Sequence, residues 1–440
     1  MNKNAWIEGA LSQGFESFEI FEQEDMDASL SWYEGAMESY NLSQVKGIAL
    51  RGVYEGRMAS IAFEKDKDDM MAEILETMKQ QALAIDASET GFMRAPMETA
   101  NLAPKTAESV SNDVVKELLG ELEKKILAAD KRIVQVNSLE YCDGETSRHI
   151  VNSKGIDLAG VTRMRYIVGN AAAKQGDEVK NAHYIALAND LVAFDADDFA
   201  SRLADKATGK LQASSVPSDT YPLVMEKEAM TSLLAAFSTI YSGERFQKGI
   251  SPLRGKIGEK VFSEKITVID DPQEPLAQMR MAFDDEGCPT QRKVLVDHGV
   301  LRMVLHNSST AAKMDTVSTG NGFKASYGAP VEVMPMNLSI ENGNASFDDL
   351  LKEMGDGLVI TELAGLHAGI DHLTADFSLQ CEGYRVENGK KTHSVSLITI
   401  AANFIDMMNH VKVIGNDRDF SYRRFAAPSI LFEGCAISGK

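Results

Sequence analysis

The 440-residue sequence predicts an α+β fold: an N-terminal α/β region with antiparallel sheets and helices, then a mostly antiparallel β domain. Stretches of alternating apolar and polar residues are separated by turns too short for a helical crossover, which pairs neighbouring strands antiparallel. A few segments space their apolar residues as a helix does, and beyond the last of them the pattern is short strands with Gly or Asn turns. With 44% apolar content, a chain of this length can bury large cores in two or three domains.

The first helix is expected from about Asn4 to Leu11. Strand-like runs follow at Phe18 to Ile20, on to Trp32, and from Val45 to Phe63, where Glu55-Gly56 reads as a hairpin turn. Met71, Ile74, Leu75, Met78 and Ala82 then fall on one helical face. Residues 1–86 form a first α+β subdomain. Residues 87–110 carry Gly, Pro, Thr and Asn without a period and read as a connector.

A second α+β subdomain spans 111–213. Ser111 or Asn112 caps a helix with the stripe Val115, Leu118, Leu119, Leu122 and Ile126. A meander follows, punctuated by Asp143-Gly144, Ser153-Lys154-Gly155 and Gln175-Gly176-Asp177, and Thr162 to Val168 alternates as a sheet with one wetter face does. A helix from about Ala196 to Ala213 closes this half. Residues 214–222, with two prolines, form a linker, and 223–440 a β-rich domain. That domain opens with a helix whose face is Ala229, Met230, Leu233, Leu234, Phe237 and Ile240.

A formal net charge of −20 argues against holding nucleic acid through its phosphates, since clustered Lys and Arg would be needed and only pairs such as Lys390-Lys391 and Arg423-Arg424 occur. The first residues lack the apolar run of a signal peptide or membrane anchor, which predicts a cytoplasmic protein with no membrane partner. Cys142, Cys288, Cys381 and Cys435 are scattered and read as free thiols.

The densest chemistry lies from Leu366 to Gly389, LHAGIDHLTADFSLQCEGYRVENG, where strand-like stretches and tight turns pin polar side chains. His367, His372, Asp376 and Ser378 are its candidate cavity, peptide-binding or interface residues. Asn321, in the glycine-rich run from Ser318 to Gly322, is a fifth. The simplest roles are a backbone hydrogen bond for His367, a solvent or partner contact for His372, and a turn cap or arginine partner for Asp376. Asp284-Asp285-Glu286-Gly287 lacks the downstream Glu of a calcium loop and reads as a hairpin turn. The Ser318 run lacks a phosphate loop's Gly-Lys-Ser/Thr ending.

This block resembles the C-terminal signature of the TldD/PmbA family, bacterial proteins implicated in peptide proteolysis and maturation and historically labelled modulators of DNA gyrase. Three more stretches match in order: Leu253 to Pro272 with Phe283 to Lys313, Val413 to Phe420, and Ala427 to Gly439. The resemblance covers the C-terminal half and, more loosely, the rest. It implies that STGNGFKASYGAP, Ser318 to Pro330, is a loop gating or lining a cavity.

The family's peptidase type carries His-Glu-x-x-x-His on the first helix of its C-terminal domain and a Cys-Gly-Lys cysteine near its end, ligands that let zinc activate water. Here the matching helix and its exit read TSLLAAFSTIYSGERF from Thr231 to Phe246, and no histidine lies between His183 and His298. The stretch from Gly415 to Pro428 has no cysteine, and Cys435 reads as a buried thiol. The chain therefore resembles the PmbA/TldE type. That resemblance implies a non-catalytic subunit of a heteromeric metallopeptidase acting on unfolded or flexible peptides, with no catalytic residue, metal or cofactor of its own, zinc in a TldD-type partner, and a homodimer when alone. Two alternatives stay open: a stand-alone homodimeric binding or regulatory protein, and a hydrolase with a metal site rebuilt from His367 and His372 with His306 and Asp376.

Overall fold

A computed structural model describes residues 1–86, 92–102, 110–420 and 422–440. One six-stranded antiparallel sheet organises the first half, in the order β3-β2-β1-β4-β5-β6. Its strands are β1 (Ser17–Tyr33), β2 (Ala36–Tyr54), β3 (Arg57–Phe63), β4 (Ile133–Asn152), β5 (Asp157–Gln175) and β6 (Glu178–Leu187). β1 and β4 are neighbours from Glu19 opposite Asn152 to Trp32 opposite Leu139, so segments 1–86 and 111–213 share this sheet. Of the stretch between them, 87–91 and 103–109 lie outside the described residues.

Helices α1 (Lys3–Ser12) and α2 (Met71–Ala84) pack on β1 to β3 around Trp6, Phe18, Ile20 and Leu50. Helices α3 (Asn112–Ala129) and α4 (Ala196–Thr208) pack on β4 to β6 around Leu139, Ile167, Leu119 and Leu203. Ser111 caps α3 by accepting from the Val114 N–H. α4 is shorter than the sequence suggests, because Gly209 begins a turn.

Glu55 and Gly56 take the positive φ values, 47° and 74°, that a two-residue hairpin requires. Asp143-Gly144 is no turn. Both residues lie inside β4, opposite Arg165 and Met164, where Asp143 bonds Arg163 at 2.8 Å and the fully buried Arg165 at 2.9 Å. An extended ladder with two arginines across the sheet overrides the local turn preference of Asp-Gly.

The second half starts with β7 (Asp219–Met225), which takes in the last residues of the 214–222 stretch, and α5 (Lys227–Phe237). α6 (Gly243–Gln247), β8 (Val268–Asp270), β9 (Lys293–Asp297), β10 (Val300–Leu301), α7 (Ser308–Lys313), β11 (Gly322–Lys324), β12 (Val331–Val333) and β13 (Leu338–Ile340) follow. Then come α8 (Phe347–Met354), β14 (Gly357–Ala364), β15 (Asp376–Glu387), β16 (Lys390–Asn403), α9 (Phe404–Asn409), β17 (Val411–Ile414), β18 (Phe425–Ala426) and β19 (Ile430–Ser438). One sheet runs β16-β15-β14-β7-β19-β17, and an extra pairing of β16 with β19 closes it on itself. A second runs β10-β9-β8-β13-β18. Pairing is antiparallel except between β7 and β14 and between β13 and β18.

α5 buries the face its spacing predicts, with Ala229, Met230, Leu233, Leu234 and Phe237 each at most 1% exposed. Phe237 stacks on Phe404 at 4.5 Å and 15°, inside the largest apolar cluster of the molecule. Burying each such ring is worth about 1.5–3 kcal/mol. The N-terminal sheet docks on this half through Phe21, Ala49, Ile150 and Ile156, which close over Phe283. No helix among the described residues is long and apolar enough to cross a membrane. All four cysteines are free, three of them buried.

Candidate functional site

The Leu366 to Gly389 block folds back on itself. Ile370 bridges Phe377, the Ser378 N–H donates to the Gly369 carbonyl at 2.8 Å, and Asp371, not Asp376, closes the turn by accepting from the Leu373 and Thr374 N–H groups. Asp376 is exposed and accepts from Asn403 Nδ2 at 2.9 Å; Asn403 and Thr374 hold its carboxyl below the usual range, and no arginine pairs with it. Asn403 in turn caps α9, which anchors the block to the core. His372 is half buried edge-on against Phe237, 6.1 Å between ring centres. Burial, then Arg245, lowers its pKa, and its buried Nδ1 has no hydrogen-bond partner. His367 and Ser378 are exposed on the turn and on β15.

His306 and Asn321 lie elsewhere. His306 is buried beside the Asn307 capping box of α7, its Nδ1 3.2 Å from Thr310 Oγ1, and burial lowers its pKa. Asn321 is fully buried: it donates to Asp270 Oδ2 at 2.8 Å and accepts from Lys293 Nζ at 2.8 Å. The run from Ser318 continues into β11 and lies against the N-terminal sheet, with Tyr327 bonded to Glu64 at 3.2 Å. Asp284 to Gly287 does form a turn, but a buried one: Asp284 accepts three backbone N–H groups, and burial with Glu286 raises its pKa to about 8.

No three His, Cys, Asp or Glu side chains stand together as a metal site would need, among the described residues. On α5 the polar side chains are committed to the fold. Thr231 Oγ1 accepts from the Ala427 N–H at 3.0 Å; Ser232 Oγ donates to the Glu228 carbonyl and accepts from Arg423 Nη1 at 2.7 Å. The zinc of the peptidase type finds no donor set on this helix.

The start of α5 instead faces a cleft of about 640 Å³. One wall is β6 and α4, with His183, Tyr184 and Lys206; the other is β14, β15 and β16, with Glu362, Glu382, Tyr384, Lys391 and His393. Lys206 bonds Glu228 at 2.6 Å, and Lys210 bonds Glu362 at 2.6 Å and Glu382 at 3.3 Å. Burial pulls the Lys210 pKa down, but Glu362 and Glu382 together raise it. Glu226, at the helix start, has its pKa raised by burial and then by Glu228. Lys391 Nζ sits 3.8 Å above the Tyr384 ring, whose buried hydroxyl has no hydrogen-bond partner.

Two strand edges border this cleft. Among the described residues β6 pairs only with β5, which leaves the other edge of Glu178–Leu187 open. Among the described residues, the outer edge of β16 is met by Ser214, at Val395, and by the Ser215 hydroxyl, at the Leu397 carbonyl, before the β19 pairing at Thr399. Gly383 is obligatory between them, because a Cβ there would lie 1.8 Å from the Val359 carbonyl oxygen at the β14/β15 bulge.

None of Glu226, Lys210, Glu362 or Tyr384 is singled out by sequence reading. The one available signal is proximity: Glu382 and Tyr384 lie in the same Leu366 to Gly389 block as the candidate histidines.

Residues 218–439 match the model of the PmbA/TldA metallopeptidase C-terminal domain, and 105–212 that of the central domain. The chain is 26% identical to "Metalloprotease PmbA" of Escherichia coli O157:H7 over 333 residues, 75% of this chain and 71% of that one. In Buchnera aphidicola it is similar to both a "Metalloprotease PmbA homolog", 26% identical over 54% of this chain and 50% of that one, and a "Metalloprotease TldD homolog", 28% identical over 47% and 43%. A crystal structure from Thermotoga maritima MSB8, titled as that of a proposed modulator of a DNA gyrase, superposes with a TM-score of 0.89 at 28% identity and covers 99% of each chain. With both domain models matched in order over one fold, the chain belongs to the PmbA/TldD metallopeptidase family.

Proposed function

We propose that this chain is the non-catalytic, PmbA/TldE-type subunit of a heteromeric cytoplasmic metallopeptidase, presenting unfolded or flexible peptides to a TldD-type partner that carries the zinc. The observation that carries this reading is α5: the helix has no histidine, and its Thr231 and Ser232 hydroxyls are consumed by Ala427, Glu228 and Arg423. The occurrence of PmbA and TldD homologues in one organism supports a paired assembly. The cleft suits an extended peptide in two ways. The edge of β6 and the open stretch of β16 before Ser394 offer main-chain hydrogen bonds that read no sequence, as in strand addition. Walls of mixed charge, with Lys206, Lys210, Glu362 and Glu382, select no net charge.

Without its partner, the chain pairs with itself and lacks peptidase activity. The test is reconstitution. The purified chain alone should carry no stoichiometric zinc and cleave no unfolded peptide, and addition of a TldD-type chain should give a complex with chelator-sensitive cleavage. Zinc at one per chain, or cleavage by this chain in isolation, would overturn the reading.

A further inference from the structure

We propose that Glu226 and Lys391, with Lys391 seated on the Tyr384 ring, form a subsite in the cleft that holds a peptide by its main chain at one residue: Glu226 accepts from that residue's N–H, and Lys391 donates to its C=O. This rests on the reading that the cleft takes an extended peptide. A peptide that binds there without regard to these two side chains would leave that reading standing and remove this one.

Glu226 holds the N-cap position of α5 and caps nothing with its side chain. Ser111, Asp195 and Ser346, at the same position of α3, α4 and α8, each accept from a helix N–H. Glutamate is not among the residues that cap well. Its carboxyl instead lies half-buried in the cleft, where burial first and Glu228 second raise its pKa, and Lys206, Lys391 and Lys227 act on it through space. Glu226 is also the charge that acts most strongly on both Lys391 and Tyr384. Lys391 is exposed, its ammonium 3.8 Å from the Tyr384 ring centre, and the Tyr384 hydroxyl is buried without a hydrogen-bond partner. An acceptor and a donor that face each other across a gap are bridged by water until a ligand with both kinds of group replaces it.

Charge balance decides what that ligand is. Six basic and six acidic side chains line the cleft, so net charge earns a ligand nothing there. Most of them are engaged: Lys206 with Glu228, Lys210 with Glu362 and Glu382, Lys227 with Asp419 at 3.8 Å, and Arg423 with Ser232 and Tyr422. A free ammonium drawn to Glu226 would meet Lys391, and a free carboxylate drawn to Lys391 would meet Glu226. An uncharged unit that carries a donor beside an acceptor meets both favourably. In an extended chain the N–H and C=O of one residue point the same way, as they do where two antiparallel strands exchange both bonds. Each bond then has one ionised partner, which makes it about twice as strong as a neutral one.

The test titrates an unstructured ten-residue peptide with both ends capped into the full-length chain by calorimetry, with lysine acetylation as a footprint. The expected result is binding that Glu226→Ala and Lys391→Met each weaken about tenfold, the double variant losing less than the product because both side chains hold one residue. Bound peptide should slow acetylation of Lys391 by acetic anhydride and leave the neighbouring Lys390, also exposed, unaffected. Since Glu226 caps nothing and Lys391 is exposed, circular dichroism and melting of both variants should match wild type. Binding that is indifferent to both substitutions, or that leaves Lys391 unprotected, overturns the proposal and spares the peptide reading of the cleft. Binding of free alanine or of a free-ended peptide where the capped peptide fails overturns it too, and would assign the pair to a zwitterion or a charged terminus. Failure of every peptide to bind removes both readings.

Discussion

Lys293 and Asp270 are ion-paired at 2.9 Å with side-chain exposures of 2% and 0%. Asn321 bridges them, and the Met336 N–H donates to the second Asp270 oxygen at 2.6 Å. The pair clamps β8 to β9, and through Asn321 the clamp reaches the loop before β11. Replacing Lys293 with Met leaves a carboxylate sealed from water without its counter-charge, and should cost about 3–5 kcal/mol in urea unfolding. Asn321→Ala, which orphans hydrogen bonds but keeps the ion pair, should cost about 1–3 kcal/mol. Equal losses for the two variants would contradict this account.

Lys324 gives the protein a pH signature. Burial, then Arg51, brings its pKa from the usual 10.5 down to about 8, although the ammonium lies 4.4 Å from the Phe21 ring centre. Between pH 8 and 10.5 the unfolded chain holds a proton that the folded chain has released, so this group lets stability rise with pH through that window and contributes no slope below it. Against Lys324→Met as the reference, wild type should gain about 3 kcal/mol between pH 7 and pH 10.5. Denaturation curves of both proteins at the two pH values give the difference directly.

Tyr384 separates folding from binding. Its hydroxyl is buried without a partner, so Tyr384→Phe should leave stability unchanged or slightly raised, within about 1 kcal/mol. If a peptide lying along β16 supplies the missing partner, the same variant should bind it about five to tenfold more weakly. Calorimetric titration of an unstructured peptide into the reconstituted complex reads that loss.

Gly47 is where the chain from β11 to β12 meets the sheet. A Cβ there would fall 2.0 Å from Tyr327 Cγ, so Gly47→Ala must displace the ring and should cost about 1–3 kcal/mol. Tyr327→Ala in the same chain should recover part of that cost, a coupling that a double-mutant cycle in thermal melts would show.

The stripes of α2, α3 and α5 were legible in sequence because each buries a single face, and the Glu55-Gly56 turn because it needs positive φ at both positions. Asp143-Gly144 misled because its preference is local, whereas the arginines that hold Asp143 in a strand come from β5. The Leu366 to Gly389 block was legible as a rigid polar unit. What its residues do was not: Asp371 and Asp376 are equivalent in composition, and only the fold shows that one closes the turn while the other meets Asn403. The cleft was illegible for a related reason. Lys206, Glu362 and Lys391 come from separate elements and Glu226 from the junction of β7 and α5, and each reads as an ordinary surface charge within its own stretch of sequence.

The partnership of β1 with β4 has a consequence for the chain's continuity. Because the fragments on either side of residues 87–110 are stitched by a full ladder of backbone bonds, severing the polypeptide there would not yield two independent bodies. Each piece by itself would present a raw, sticky flank, and the two would be expected to remain married after the cut, or to find one another again when mixed.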